Sequence, residues 1–211
     1  MKLNIRFPKG YIAHPYWPEL EKVINIQKES GTRRARSEAN RAKALSDHLH
    51  KIGLTNVDYE AMVRMAERPF YTAADMPLVD GHDPAEIVVP PHQIYGCLAQ
   101  ASDTARSSVR IASRDQLRSL LVVQPMFTGR TAADGIWERF AVVTAGTGAK
   151  LSNQRALRRN AYLGPFETTL DIAFDSHVVS EAKVREFVAY AGREVGLGAS
   201  RKMGWGRFEV T

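Results

Sequence analysis

Cysteine is almost missing from this chain: Cys97 is the only one in 211 residues. A single thiol excludes intrachain disulfides and cysteine-rich zinc sites. No apolar run approaches the ~18 residues that a membrane-spanning helix needs, and no signal-peptide pattern is visible. A soluble, cytoplasmic protein with no membrane partner is therefore expected. Tandem repeats, low-complexity segments, a P-loop, a dinucleotide fingerprint and a nucleophilic-triad motif are also lacking. No cofactor or metal is expected. Acidic residues are in deficit, 23 Asp+Glu against 29 Lys+Arg, and the +6 balance favours nucleic acid or another polyanion as partner. What remains is ordinary globular composition, in a chain long enough to bury a real core.

Periodicity outlines the elements. Leu3, Ile5 and Phe7 alternate with Lys2, Asn4 and Arg6, which predicts a half-buried strand stopped by Pro8 and Gly10. Residues 11–18 are aromatic and proline-punctuated, and Pro18 suits the first turn of a short helix. Residues 33–52 are the most basic and most helical part. There Arg33, Arg34, Arg36, Arg41 and Lys43 precede Leu45, Leu49 and Ile52, whose spacing predicts a buried stripe. Val57, Ala61 and Met65 predict another helix, ended by Pro69. None of residues 10–85 continues the strand pattern. Residues 86–89 read as a strand and Pro90-Pro91 as a turn into a helix whose buried face is Ile94, Cys97, Leu98 and Ala101. Gly96 inside that helix costs roughly 1 kcal/mol against alanine, which points to close packing or ligand approach.

Residues 120–123 are a continuous apolar run suited to a central strand, and residues 136–144 are a further strand candidate. Residues 144–165 read as a basic loop or short helix. Alternation returns at 166–174, and residues 180–195 form a helix capped by Ser180 with Val184, Phe187, Val188, Ala191 and Val195 as its stripe. Phe208 and Val210 complete a last strand. The order is β–insertion–α–β–insertion–β–α–β. That predicts a single α+β domain over 1–211 with a ferredoxin-like (RRM-like) βαββαβ core and an antiparallel sheet. A largely helical insertion (10–85) follows strand 1, and a second (125–165) precedes strand 3.

Four glycines fall between residues 196 and 206, directly after the last helix: Gly196, Gly198, Gly204 and Gly206. They are interleaved with Ser200, Arg201, Lys202, Trp205 and Arg207. Exposed N–H groups among cations would suit a polyanion. The alternative is a helix C-cap at Gly196 leading into a glycine-rich hairpin.

This ending resembles the glycine-rich loop GxGxxRxxGxGRF of the RAMP superfamily (repeat-associated mysterious proteins) of CRISPR effector complexes. The matching residues are Gly196, Gly198, Arg201, Gly204, Gly206, Arg207 and Phe208. A looser match sets Pro90, Ile94, Gly96 and Leu98 against the IPGSSLKGALR helix start of the family's crRNA-backbone subunits. Pro91, His92-Gln93 and Tyr95 depart from that pattern. The resemblance implies a scaffold that binds guide RNA without reading its sequence. It also implies a single-stranded nucleic acid target and, as partners, other CRISPR effector subunits or copies of itself.

Such binding needs phosphate neutralisation and stacking surfaces. The expected RNA-binding residues are the loop residues above, His92, Gln93 and Tyr95, and the cations Arg33, Arg34, Arg36, Arg41, Arg155, Arg158 and Arg159. Tyr16 and Trp17 are further stacking candidates. One alternative is a metal-independent endoribonuclease of the same superfamily, which processes CRISPR repeat RNA. It would need a general base, for which His14 is placed in the first loop. The resemblance also raises cleavage of target RNA by an acidic residue before the first core helix, where Asp75, Asp80 and Asp83 lie. Asp80-Gly81-His82-Asp83 reads as a turn rather than a metal site. The remaining alternative is a ferredoxin-like protein-assembly module.

Overall fold

The computed structural model describes residues 1–13, 18–32, 37–76, 81–134, 137–144, 155–199 and 201–211. In chain order its strands and helices begin β1 (Lys2–Phe7), β2 (Tyr11–Ile12), α1 (Pro18–Glu29), α2 (Glu38–Lys51) and α3 (Asn56–Ala66). Next come β3 (Tyr71–Thr72), β4 (Glu86–Val89), α4 (Pro91–Thr104), α5 (Leu117–Leu120), β5 (Leu121–Val123) and β6 (Met126–Thr131). The last are β7 (Trp137–Thr144), β8 (Arg155–Leu163), β9 (Phe166–Phe174), α6 (Glu181–Tyr190) and β10 (Glu209–Val210). The mixture of helices and antiparallel sheets is α+β. Two compact units result, Met1–His14 with Phe70–Thr211, and Pro15–Pro69.

The larger unit is built on a four-stranded sheet of order β10-β1-β9-β5, antiparallel throughout. The alternation of β1 sets its faces: Leu3, Ile5 and Phe7 are buried while Lys2, Asn4 and Arg6 are exposed. On β9 the buried residues are Phe166, Leu170 and Ile172. Both strands turn their apolar rows toward α4 and α6, which contribute Ile94, Cys97, Leu98, Ala101, Val184, Phe187 and Val188 to one core. Phe7 is fully buried at its centre, stacked on Phe166 at 4.6 Å and tilted against Phe208 at 5.5 Å. Ser180 caps α6 by accepting from the Lys183 N–H, as its position before the stripe requires. A π-turn over Ala191–Val195 then ends the helix.

Residues 120–123 do not make a central strand. Leu120 closes the single helical turn of α5, and β5 is the sheet edge with Val122 55% exposed. Residues 155–163 are a strand rather than a loop or short helix: β8 pairs with β7 from Trp137↔Tyr162 to Thr144↔Arg155. It also receives β2, so the chain extends its sheet structure directly after Gly10. A third sheet, β3-β4-β6, leads into α4 through Pro90 and Pro91. Residues 70–76 and 81–85 thus belong to the larger unit.

The smaller unit packs α1 against α2 and α3. Ser37 caps α2, and Thr55 with Asp58 forms a reciprocal capping box on α3. Leu49 is buried, but Ile52 is 43% exposed and Val57 68% exposed, so the stripes expected from Ile52 and Val57 point outward. On α3 the more sheltered row is Tyr59, Met62, Val63 and Ala66, spaced i, i+3, i+4, i+7. The hydroxyl of Tyr59 accepts from Gln27 Nε2 at 3.0 Å.

Because Phe7 joins β1, β9 and the end of the chain, Phe7→Ala is expected to cost about 3–5 kcal/mol in urea unfolding. Val122→Ala, at the exposed sheet edge, should stay within about 0.5 kcal/mol.

Candidate nucleic-acid interface

The glycine-rich segment is a double-backed turn clamped onto the loop after β1. Gly196 has φ 75° and donates to the Ala191 carbonyl, which closes the π-turn. Leu197, 1% exposed, donates to the Gly206 carbonyl at 2.8 Å. Ala199 donates to the Ile12 carbonyl at 2.9 Å and Gly206 to the Gly10 carbonyl at 2.8 Å. A Cβ on Gly206 would collide with the Leu197 carbonyl, and one on Gly198 with the Ile12 carbonyl. Glycine is therefore required here for close backbone approach. The expected role of bare amides is revised accordingly. The N–H groups of Gly196, Gly204 and Gly206 all donate to protein carbonyls.

Side chains carry the charge instead. Residues Arg201–Met203 form a short 3-10 turn at the tip. Arg201 Nη1 donates to Gln100 Oε1 on α4 at 2.8 Å. Arg207 Nε donates to the Arg201 carbonyl at 3.4 Å, and its Nη1 donates to the Arg193 carbonyl. Lys202 is exposed. From the first loop, Lys9 Nζ donates to the Met203 carbonyl at 2.7 Å and lies 5.5 Å over the Trp205 ring. Trp205 in turn tilts against Tyr162 at 5.0 Å. Lys9, Arg193, Arg201, Lys202 and Arg207 thus crowd one surface, where Glu194 pairs with Arg193 at 2.8 Å. Lys9, Tyr162 and Arg193 carried no local sequence signal; only the folding of distant segments puts them here.

The second motif flanks the first. Gln93 Oε1 accepts from the Tyr11 hydroxyl, and Tyr11 lies against Gly198. The Tyr95 hydroxyl donates to the Leu121 carbonyl and accepts from the Val123 N–H at 3.2 Å. Gln93 and Tyr95 thereby tether α4 to β2 and β5. His92 meets Tyr71 edge-on at 5.4 Å, and partial burial lowers its pKa. The thiol of Cys97, on the buried face of this helix, has its pKa pushed up to about 12 by burial, against the opposing pull of Arg201, the Gly196 backbone and Arg207.

The other candidates are placed as follows. Arg41 lines a hollow of the smaller unit with Gln27, Glu38 and Tyr59. Arg155, Arg158 and Arg159 lie along β8, opposite Thr144, Ala141 and Phe140, and their side chains are outside the described part. His14, Tyr16, Trp17, Arg33, Arg34, Arg36, Asp80 and Ser200 lie outside the described residues. Asp75 accepts from the Thr72 N–H at 2.8 Å as a cap. Asp83 accepts from the Ala85 N–H at 2.8 Å within a turn. His82 is held by Glu86 at 2.9 Å and stacks on Phe127. Among the described residues no group of three or more His, Cys, Asp or Glu could hold a metal, and no helix is long and apolar enough to cross a membrane.

No protein-family model and no curated protein matches the chain. Solved structures do. A chain of the Type III-B Cmr-beta bound to cognate target RNA gives a TM-score of 0.48 at 9% identity. All of this chain is covered there, and it spans 57% of that one's length. Cmr6 from Pyrococcus furiosus gives 0.37 at 10% identity, covering 100% of this chain and 97% of that one. Both are low-level likenesses.

Gly206→Ala should cost at least about 2 kcal/mol, since a left-handed backbone and a carbonyl collision coincide. Gly204→Ala, whose Cβ would meet only the Lys9 side chain at 3.6 Å, should cost about 1 kcal/mol. Chemical denaturation of both variants checks the difference. The depressed pKa of His92 means that the unfolded chain binds the proton more tightly. Its contribution is present above the ordinary value of about 6.5 and lost as pH falls through the folded pKa. Melting curves from pH 7.5 to 5.5 should show that loss, and His92→Gln should reduce it.

Proposed function

We propose that this protein is a RAMP-type subunit that binds single-stranded RNA as a scaffold, independently of sequence, in the manner of a crRNA-backbone subunit. The observation that carries the reading is the cationic rim around the glycine-clamped turn. Arg201, Lys202, Arg207, Arg193 and Lys9 gather there beside Trp205 and Tyr162. A strand crossing this rim has ammonium and guanidinium groups for its phosphates and two partly exposed rings for its bases. We read the sheet order β10-β1-β9-β5, with α4 and α6 on one face, as the ferredoxin-like core βαββαβ.

That core is not used as an RRM uses it. An RRM stacks bases on aromatics of its open sheet face. Here the open face presents Lys2, Asn4 and Arg6 from β1 and Glu167, Thr169 and Asp171 from β9, two cations against two carboxylates, with Arg6 and Glu167 3.9 Å apart. Neither charge excess nor a ring favours RNA there, so the RNA path belongs to the turn and the neighbouring side of α4. The reading would put the chain in the same class of assembly as the Cmr-beta bound to target RNA, with guide RNA and fellow subunits as partners.

The test is Arg201→Ala with Lys202→Ala, measured as RNA affinity over a salt series. Loss of two phosphate contacts should flatten the slope of log K against log salt by about 1.4, at roughly 0.7 per contact for single strands. An unchanged slope and affinity would remove the turn from the RNA path.

A further inference from the structure

Gly96 has no structural reason to be glycine. It lies in the interior of α4, where glycine is among the least favourable residues. Its backbone is not left-handed, and a Cβ built there would have no atom within 4 Å. The empty space belongs to a cleft of about 350 Å³ beside α4, with Gly96 and Ala99 on its helical wall. His92 and Tyr95 stand at one end, and Arg114 and Arg118 come from the segment leading into β5.

We infer that this cleft holds one nucleoside 5′-monophosphate unit, either as a nucleotide of the bound strand or as a free nucleotide. The Tyr95 ring is fixed, because its hydroxyl is bonded to both Leu121 and Val123. The Arg118 guanidinium lies 5.8 Å over that ring, which presents a flat cationic surface on which a base can stack. Arg114 stands at the exposed rim, where its pairing with Asp103 at 3.3 Å leaves guanidinium donors for a phosphate. Asp115, also lining the cleft, offers an acceptor to an exocyclic amino group. Leu117, 1% exposed, gives an apolar floor. The α4 wall must be low for a base to lie against it, and the small residues Gly96 and Ala99 make it so. One turn along α4 from Gly96, Gln100 carries Arg201 of the glycine-rich turn. A strand on the rim can therefore deliver a nucleotide along the helix into the cleft.

The inference rests on the RNA reading for its strand-bound form, and the experiment separates the two. Wild type, Gly96→Leu and Arg118→Ala are each titrated with a single-stranded RNA decamer and with AMP, and their melting is recorded. Gly96→Leu should melt no lower than wild type, because leucine suits a helix interior better than glycine. It should nevertheless bind nucleotide at least tenfold more weakly, as should Arg118→Ala. Loss in the decamer arm alone assigns the cleft to the strand, and loss in the AMP arm assigns it to a free nucleotide. The salt slope of decamer binding should fall by no more than about 0.7 in Gly96→Leu, since at most the Arg114 phosphate contact is lost and the rim cations remain. If the decamer binds every variant as it binds wild type, and AMP binds none or all equally, the cleft inference is overturned while the RNA reading stands. If wild type fails to bind the decamer, the RNA reading fails, and the AMP arm alone decides the cleft.

Discussion

The clasp between the two ends of the chain governs this molecule. Gly206 donates to Gly10, Ala199 donates to Ile12, and the turn folds on itself through Leu197 and Gly206. Each contact brings main chain against main chain, at separations that a Cβ would prevent. The clasp seals the hydrophobic core around Phe7, Phe166 and Phe208 at the point where β1 ends and β10 begins. It also satisfies amides that would otherwise be unpaired in a glycine-rich turn.

What the clasp displays follows from what it hides. With the amides of Gly196, Gly204 and Gly206 committed to protein carbonyls, the outer surface is left to Arg201, Lys202, Arg207 and Trp205, and Lys9 joins them across the two loops. A polyanion would meet side-chain charge here rather than a nest of N–H groups. Such recognition is strongly salt-dependent and indifferent to base identity. A further contact to a base must come from elsewhere, and the cleft beside α4 offers the stacked Arg118 and Tyr95 for it.

Much of the core was legible locally. The alternation of β1, the Ser180 cap and the apolar rows of α4 and α6 are local signals, and each stands in the structure as read. The failures share a cause. Residues 155–163 mix Arg, Ala and Asn, so their strand state rests on pairing with β7 across a ten-residue gap in the sequence. The apolar run at residues 120–123 signals burial but not position, and β5 came out at the edge because only β9 pairs with it. In the smaller unit, Ile52 and Val57 have correct helical spacing but sit on outward faces, since a helix chooses its buried side by what packs against it.

The candidate site divides in the same way. The amino-acid sequence by itself determined that a glycine-rich, cationic turn follows the last helix, that a proline-led helix stands before it, and that a single cysteine leaves no intrachain disulfide. These are matters of residue type and short spacing. Only the tertiary structure decided that the glycines serve backbone packing, that Lys9 and Tyr162 join Trp205, and that Gly96 opens onto Arg114 and Arg118. Those relations link residues far apart in the chain, and no local pattern records a contact whose partner is chosen by the closing of the fold.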